Sequence, residues 1–128
     1  EGLPVLDLVT RGIRTGLGQD GQRDYWSPYG NTDMLDRTWQ LAFTQGWSRD
    51  ELIEHGLAVA SIGGRSVLDP AAVRLTSVTD RPGVSVGDIA DLVLLQGDTP
   101  TAAVMDRSGG RTVLKSGRVV AHDGELIG

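Results

Sequence analysis

The sequence has no cysteine, so it can build neither a disulfide framework nor a thiolate metal site. Histidine is nearly as scarce: His55 and His122 are the only two imidazoles, fewer than the three protein ligands a catalytic zinc usually takes. Basic runs are missing as well. The chain carries 12 Lys+Arg against 17 Asp+Glu, net −5, which makes nucleic acid and anionic membrane poor partners. No apolar stretch approaches the ~20 residues of a membrane-spanning helix, and no signal-peptide pattern opens the chain. The expected compartment is the cytoplasm. Aromatic residues stop early: Tyr25, Trp26, Tyr29, Trp39, Phe43 and Trp47 are all six, and none follows to Gly128.

What is present suffices for a core. The 128 residues are 39% hydrophobic, a composition of globular rather than disordered chains. The lopsided aromatics suggest two parts with different tasks. A boundary is expected near Asp80–Gly83, between an α/β part over 1–80 and a β part over 81–128. The first residue is Glu1 rather than Met, as expected for a piece of a longer protein.

Pro4–Thr10 is expected to form a helical turn ending before Gly12. Ile13–Leu17 reads as a short β-type run, with Gly16 and Gly18 permitting close backbone approach. A loop over 19–30 follows. Asn31 or Thr32 can cap a helix with Asp33 in its first turn, and Met34, Leu35, Thr38, Trp39 and Ala42 recur at helical spacing. Trp39 and Phe43 are expected in the core. In WSRDEL, Ser48 and Glu51 form a capping box and Trp47 and Leu52 a staple. That second helix is expected to run to about Ser61 and stop at Gly63-Gly64. Further on, Val84, Val86, Ile89 and Leu92–Leu95 read as strand residues. Residues 111–115 and 118–122 read as a hairpin closed by Ser116-Gly117.

The loop GLGQDGQRDYWSPYG gathers three aromatics and two carboxylates. Asp20 follows a β-type run and precedes a helix, the position where βα-barrels keep their chemistry. Tyr25, Trp26 and Tyr29 could wall a pocket for a flat ring. A loop carboxylate among glycines also serves simply as a turn residue bonding its own backbone. One carboxylate alone is not a metal site.

The stretch from Leu17 to Leu35 resembles the last barrel strand of cytosine deaminase-like amidohydrolases, which reads close to L-G-S-D-N-x-x-D-x-W-x-P-x-G-x-x-D-M-L. Leu17, Gly18, Asp20, Asp24, Trp26, Pro28, Gly30, Asp33, Met34 and Leu35 match without a gap. Downstream, GVSVGDIADLVLL and RTVLKSGRVVA resemble the strand pair and closing hairpin of the same superfamily's tail. The resemblance implies the last strand and helices of a (β/α)8 barrel over 1–80, followed by part of a C-terminal β-sandwich over 81–128. It implies a parent enzyme that hydrolytically deaminates an aminated N-heterocycle with a divalent metal, zinc or iron. Asp20 would be metal ligand and proton carrier, and Trp26 would lie beside the substrate. A bound metal makes hydroxide available near neutral pH, and a neighbouring carboxylate suits proton transfer.

Two positions depart from the family's pattern. Gly21 stands where a polar Asn or Asp is usual, and Tyr25 where Pro is common. Both flank the expected pocket, which leaves room for a ring other than cytosine, such as a substituted triazine. His55 and His122 match no ligand position of the family, so structural or surface roles are expected for them. A whole barrel takes about 250 residues. The missing ligands would therefore come from an absent N-terminal barrel segment or a separate chain, and this chain alone is expected to be inactive and metal-free.

Smaller candidates have plain readings. Arg23-Asp24 could contact substrate, but an ion pair or a loop brace is expected instead, and Asp88 and Asp91 are expected to serve as turn and strand-edge residues. GxG at 16–18 lacks the third glycine of a dinucleotide fingerprint, and the cysteine-ligated zinc deaminases of nucleic acids are excluded. The alternative to the hydrolase reading is a non-catalytic remnant module. It would self-associate into a homo-oligomer through its exposed barrel-strand edge and aromatic belt.

Overall fold

The computed structural model describes residues 2–128 and divides into two compact units, one running to Pro82 and the other from Gly83 to Gly128. The first unit is helical. Helix α1 (Val5–Thr10) buries Val5 and Val9 and ends before Gly12, which takes φ +74°. Helix α2 (Met34–Gln45) is capped by Asp33, whose carboxylate accepts from the Leu35 amide at 3.0 Å. The cap therefore falls one or two residues later than Asn31 or Thr32, because Asn31 instead accepts from the Asp33 amide at 3.0 Å. At the other end Gly46 is left-handed. The Trp47 amide reaches Ala42 O and the Gly46 amide reaches Phe43 O, a Schellman closure.

Helix α3 (Asp50–Ala58) begins without the capping box. Its N-cap is Arg49, with no side-chain cap bond, which puts Ser48 one position outside. Buried Trp47 lies beside the His55 ring and Gly56. Nor does the helix stop at Gly63-Gly64. It passes through a π-helical turn (Val59–Gly63) into α4 (Gly64–Leu68), with both glycines in right-handed helical geometry. These glycines serve packing. A Cβ on Gly63 would sit 2.3 Å from Thr15 O, and one on Gly16 would sit 2.7 Å from Gly63 O. Two backbones cross there with no room for side chains.

That crossing also bears on Ile13–Leu17, which is not a strand. No strand lies beside it among the described residues of its unit, so its polar groups turn to the helices. The Ile13 amide donates to Leu8 O and the Leu17 amide to Val59 O at 3.2 Å. Arg14, which the sequence did not single out, donates to Ser66 O, Pro70 O and Ala72 O at 2.7–3.0 Å. It thereby occupies carbonyls at and beyond the end of α4. The core of this unit gathers Val9, Leu35, Ala42, Ile53, Val59 and Leu75.

The second unit is a four-stranded antiparallel sheet in chain order: β1 (Leu92–Leu94), β2 (Thr112–Lys115), β3 (Arg118–His122) and β4 (Glu125–Leu126). Helix α5 (Pro100–Asp106) lies between β1 and β2 in sequence, capped by Thr99 with Pro100 in its first turn, and buries Ala103 and Val104. Ser116 and Gly117, the expected two-residue turn between β2 and β3, both have positive φ, as in a primed turn. Asp123-Gly124 repeats that geometry and adds β4, a strand not anticipated although Asp-Gly is a strong hairpin signal. Residues 84–89 are not a strand. Gly87 has φ +98°, and Asp88 closes a turn by accepting from the Ser85 amide at 2.7 Å.

Candidate active site

Asp20 directly follows segment 13–19, which is fixed by the Gly16–Gly63 crossing, by Arg14 and by the Leu17–Val59 bond. Its carboxylate is exposed to solvent. The loop beyond it is shaped by short-range bonds. Asp24 Oδ1 accepts from the amides of Trp26 and Ser27 at 2.9 and 3.1 Å, which bears out its expected role as a brace. Arg23 takes φ +49°. The loop then returns on itself so closely that a Cβ on Gly30 would lie 1.6 Å from Gly21 O.

The aromatic residues do not wall a pocket within this chain. Tyr25, Trp26 and Tyr29 are 97%, 90% and 82% exposed, with Tyr25 and Trp26 in edge contact at 6.2 Å. Trp39 and Phe43 stack face to face at 5.3 Å. Contrary to expectation Phe43 is 72% exposed rather than in the core. The buried stripe of α2 is Leu35, Thr38 and Ala42, and the ring pair, four residues apart, occupies a neighbouring stripe. Tyr29, Arg37, Trp39 and Phe43 border an open depression of about 420 Å³.

Neither histidine joins Asp20. His55 is wholly buried, with Nδ1 2.9 Å from Asp80 O, and Asp80 itself accepts from the Thr76 and Ser77 amides at 2.8 and 3.0 Å. The ring thus ties α3 to segment 76–81, a structural role. His122 pairs across the sheet with Thr112, ring to hydroxyl at 2.9 Å. Asp91 receives Lys115 Nζ at 2.6 Å and the Ser116 amide at 2.8 Å, as a strand-edge residue would. Among the described residues no three His, Asp or Glu side chains are placed to hold a metal ion. Asp20 could be one ligand, but the described residues do not complete a set.

The chain is similar to one part of two hydrolases. Over 125 residues, 98% of its length, it is 30% identical to the N-isopropylammelide isopropyl amidohydrolase of Pseudomonas sp. (strain ADP). The crystal structure of N-isopropylammelide isopropylaminohydrolase from Burkholderia multivorans ATCC 17616 matches 96% of the chain with a TM-score of 0.75 and 33% identity. In both comparisons the chain spans 29% of the length of its relative. No family model matches it.

Proposed function

We propose that this chain is the C-terminal portion of a metal-dependent hydrolase, cytosine deaminase-like in its chemistry, that displaces an amino substituent from an aminated N-heterocycle. In this reading residues 1–80 are the end of its (β/α)8 barrel and 81–128 part of its β-sandwich. The observation that carries the reading is 30–33% identity, sustained over nearly the whole chain, with two N-isopropylammelide hydrolases. The ring is accordingly of the ammelide kind rather than cytosine itself, in keeping with Gly21 and Tyr25 beside the reacting carboxylate.

Asp20 takes a proton from the attacking water and returns it to the leaving nitrogen as the carbon–nitrogen bond breaks. Trp26 covers one face of the ring once the remaining walls are in place. Zinc or iron would be held by Asp20 together with ligands from outside this chain, and when bound would favour hydroxide over water. The 128 residues alone are expected to be inactive, because a single carboxylate does not hold a catalytic metal against water.

The test is turnover of an N-alkylated ammelide by the complete enzyme. General acid–base catalysis is worth about 10²–10⁴-fold, so Asp20→Asn should lose at least that factor and also bind less divalent metal. Unchanged turnover would sink the assignment. An intact mass under denaturing conditions shows which material is in hand: a second chain beside the 13.6 kDa one marks a two-part enzyme.

A second reading, a self-associating non-catalytic module, keeps support from Tyr25, Trp26 and the exposed aliphatic residues of the sheet unit, Val84, Val86 and Leu126 among them. Of the segment 13–17 proposed as its exposed edge, the Ile13 and Leu17 amides bond to Leu8 O and Val59 O.

A further inference from the structure

The residues on either side of Asp20 are tied to each other and to helix α2. Gln19 Nε2 donates to Gly21 O at 2.7 Å, folding its amide across the backbone of Asp20. Gln19 Oε1 accepts from Arg37 Nη1 at 3.1 Å. Arg37 Nη2 donates to Asp36 Oδ2, which also accepts from Asn31 Nδ2 at 3.1 Å. The Arg37 amide in turn makes a helical bond to Asp33 O at 3.0 Å, beside the N-cap. One unbroken path therefore leads from the first turn of a helix to the backbone flanking the carboxylate, and a branch through Asn31 reaches the far end of the loop.

The Arg37 side chain is only 14% exposed, and its Nε is buried without a hydrogen-bond partner among the described residues. An unmatched buried donor costs stability. A surface ion pair with Asp36 alone would not require it. The planar fork meets Gln19 with one arm and Asp36 with the other, whereas a lysine offers all its donors from a single atom at the end of a flexible stem.

We propose that Arg37, acting through Gln19, is a positioning residue that fixes the direction in which the Asp20 carboxylate leaves the loop. The inference rests on the reading of Asp20 as the reacting group. Catalysis is sensitive to such placement, because an error of about 1 Å can cost about 10²-fold.

The test compares Arg37→Gln, Gln19→Leu, their double variant and Asp20→Asn in the complete hydrolase, with amide hydrogen exchange on the same proteins. Each single variant should lower kcat by about 10²-fold while KM stays within about twofold. The double variant should fall no further than either single one, since both cut the same path. Exchange should quicken on the order of tenfold at residues 19–30 and not in α3. Arg37→Lys should not rescue kcat. If Arg37→Gln and Gln19→Leu keep full kcat while Asp20→Asn abolishes it, the positioning role is wrong and the functional reading stands. If Asp20→Asn is itself fully active, both fall. Exchange that quickens equally throughout the first unit would make Arg37 a general stabiliser and overturn the proposal. Should Arg37→Gln fail to fold, Gln19→Leu decides alone.

Discussion

Gly30 faces the carbonyl oxygen of Gly21 at a distance that leaves no space for a methyl group. Gly30→Ala must push two backbone segments apart, and overpacking of this kind costs roughly 1–3 kcal/mol. The expected outcome is a lower melting temperature together with faster proteolysis inside 20–30. A variant as stable and as protease-resistant as the parent would show that the two strands of the loop do not meet. The matched glycine was visible in the sequence, but its reason was not. Nothing in the spacing of 21 and 30 says that their backbones touch, because that contact depends on the turn set by Asp24. Likewise Asp20 could be picked out by its motif, whereas Gln19, Arg37 and Arg14 carried no signal short of three-dimensional neighbours.

At the scale of elements, the two long helices of the first unit start differently from one another. Asp33 bonds the Leu35 amide and Ser48 lies outside its helix. Asp33→Ala should therefore cost about 0.5–2 kcal/mol, and Ser48→Ala should fall within about 0.5 kcal/mol, as for surface changes away from such features. Paired thermal or denaturant melts check both, and equal losses would mean that a serine cap forms after all. Local chemistry made α1, α2 and the β2–β3 hairpin legible, since each has its period and its turn or cap in a few adjacent residues. It misjudged Gly63-Gly64 because a glycine pair looks the same whether it ends a helix or lets another chain segment cross it. It misjudged Ile13–Leu17 for a related reason. A β-type run becomes a strand only beside another strand, and the first unit has none among its described residues.

The whole molecule is two compact units that together span 29% of the relatives they match. Val86 and Leu126 of the second unit, like Tyr25 and Trp26 of the first, are almost entirely open to solvent. A contiguous exposed apolar patch marks a surface that meets another protein, and Tyr25 and Trp26 lie side by side in edge contact. Sedimentation of the isolated chain should show weight-average mass rising with concentration above the 13.6 kDa monomer. A monomer at high concentration would argue against self-association.

The π-turn has a further consequence. Val59 O takes both the amide of Gly64, five residues on, and the amide of Leu17. The wider turn is what lets one carbonyl serve its own helix and the segment that carries Asp20. A π-turn holds one residue more than the α-helix it interrupts. A lineage that trimmed a single residue between Val59 and Gly63 would gain a more regular helix and lose this anchorage. Deletions are ordinarily tolerated in loops and resisted in helices for the sake of the helix. Here the helix would welcome the deletion, and the distant carboxylate would bear its effect.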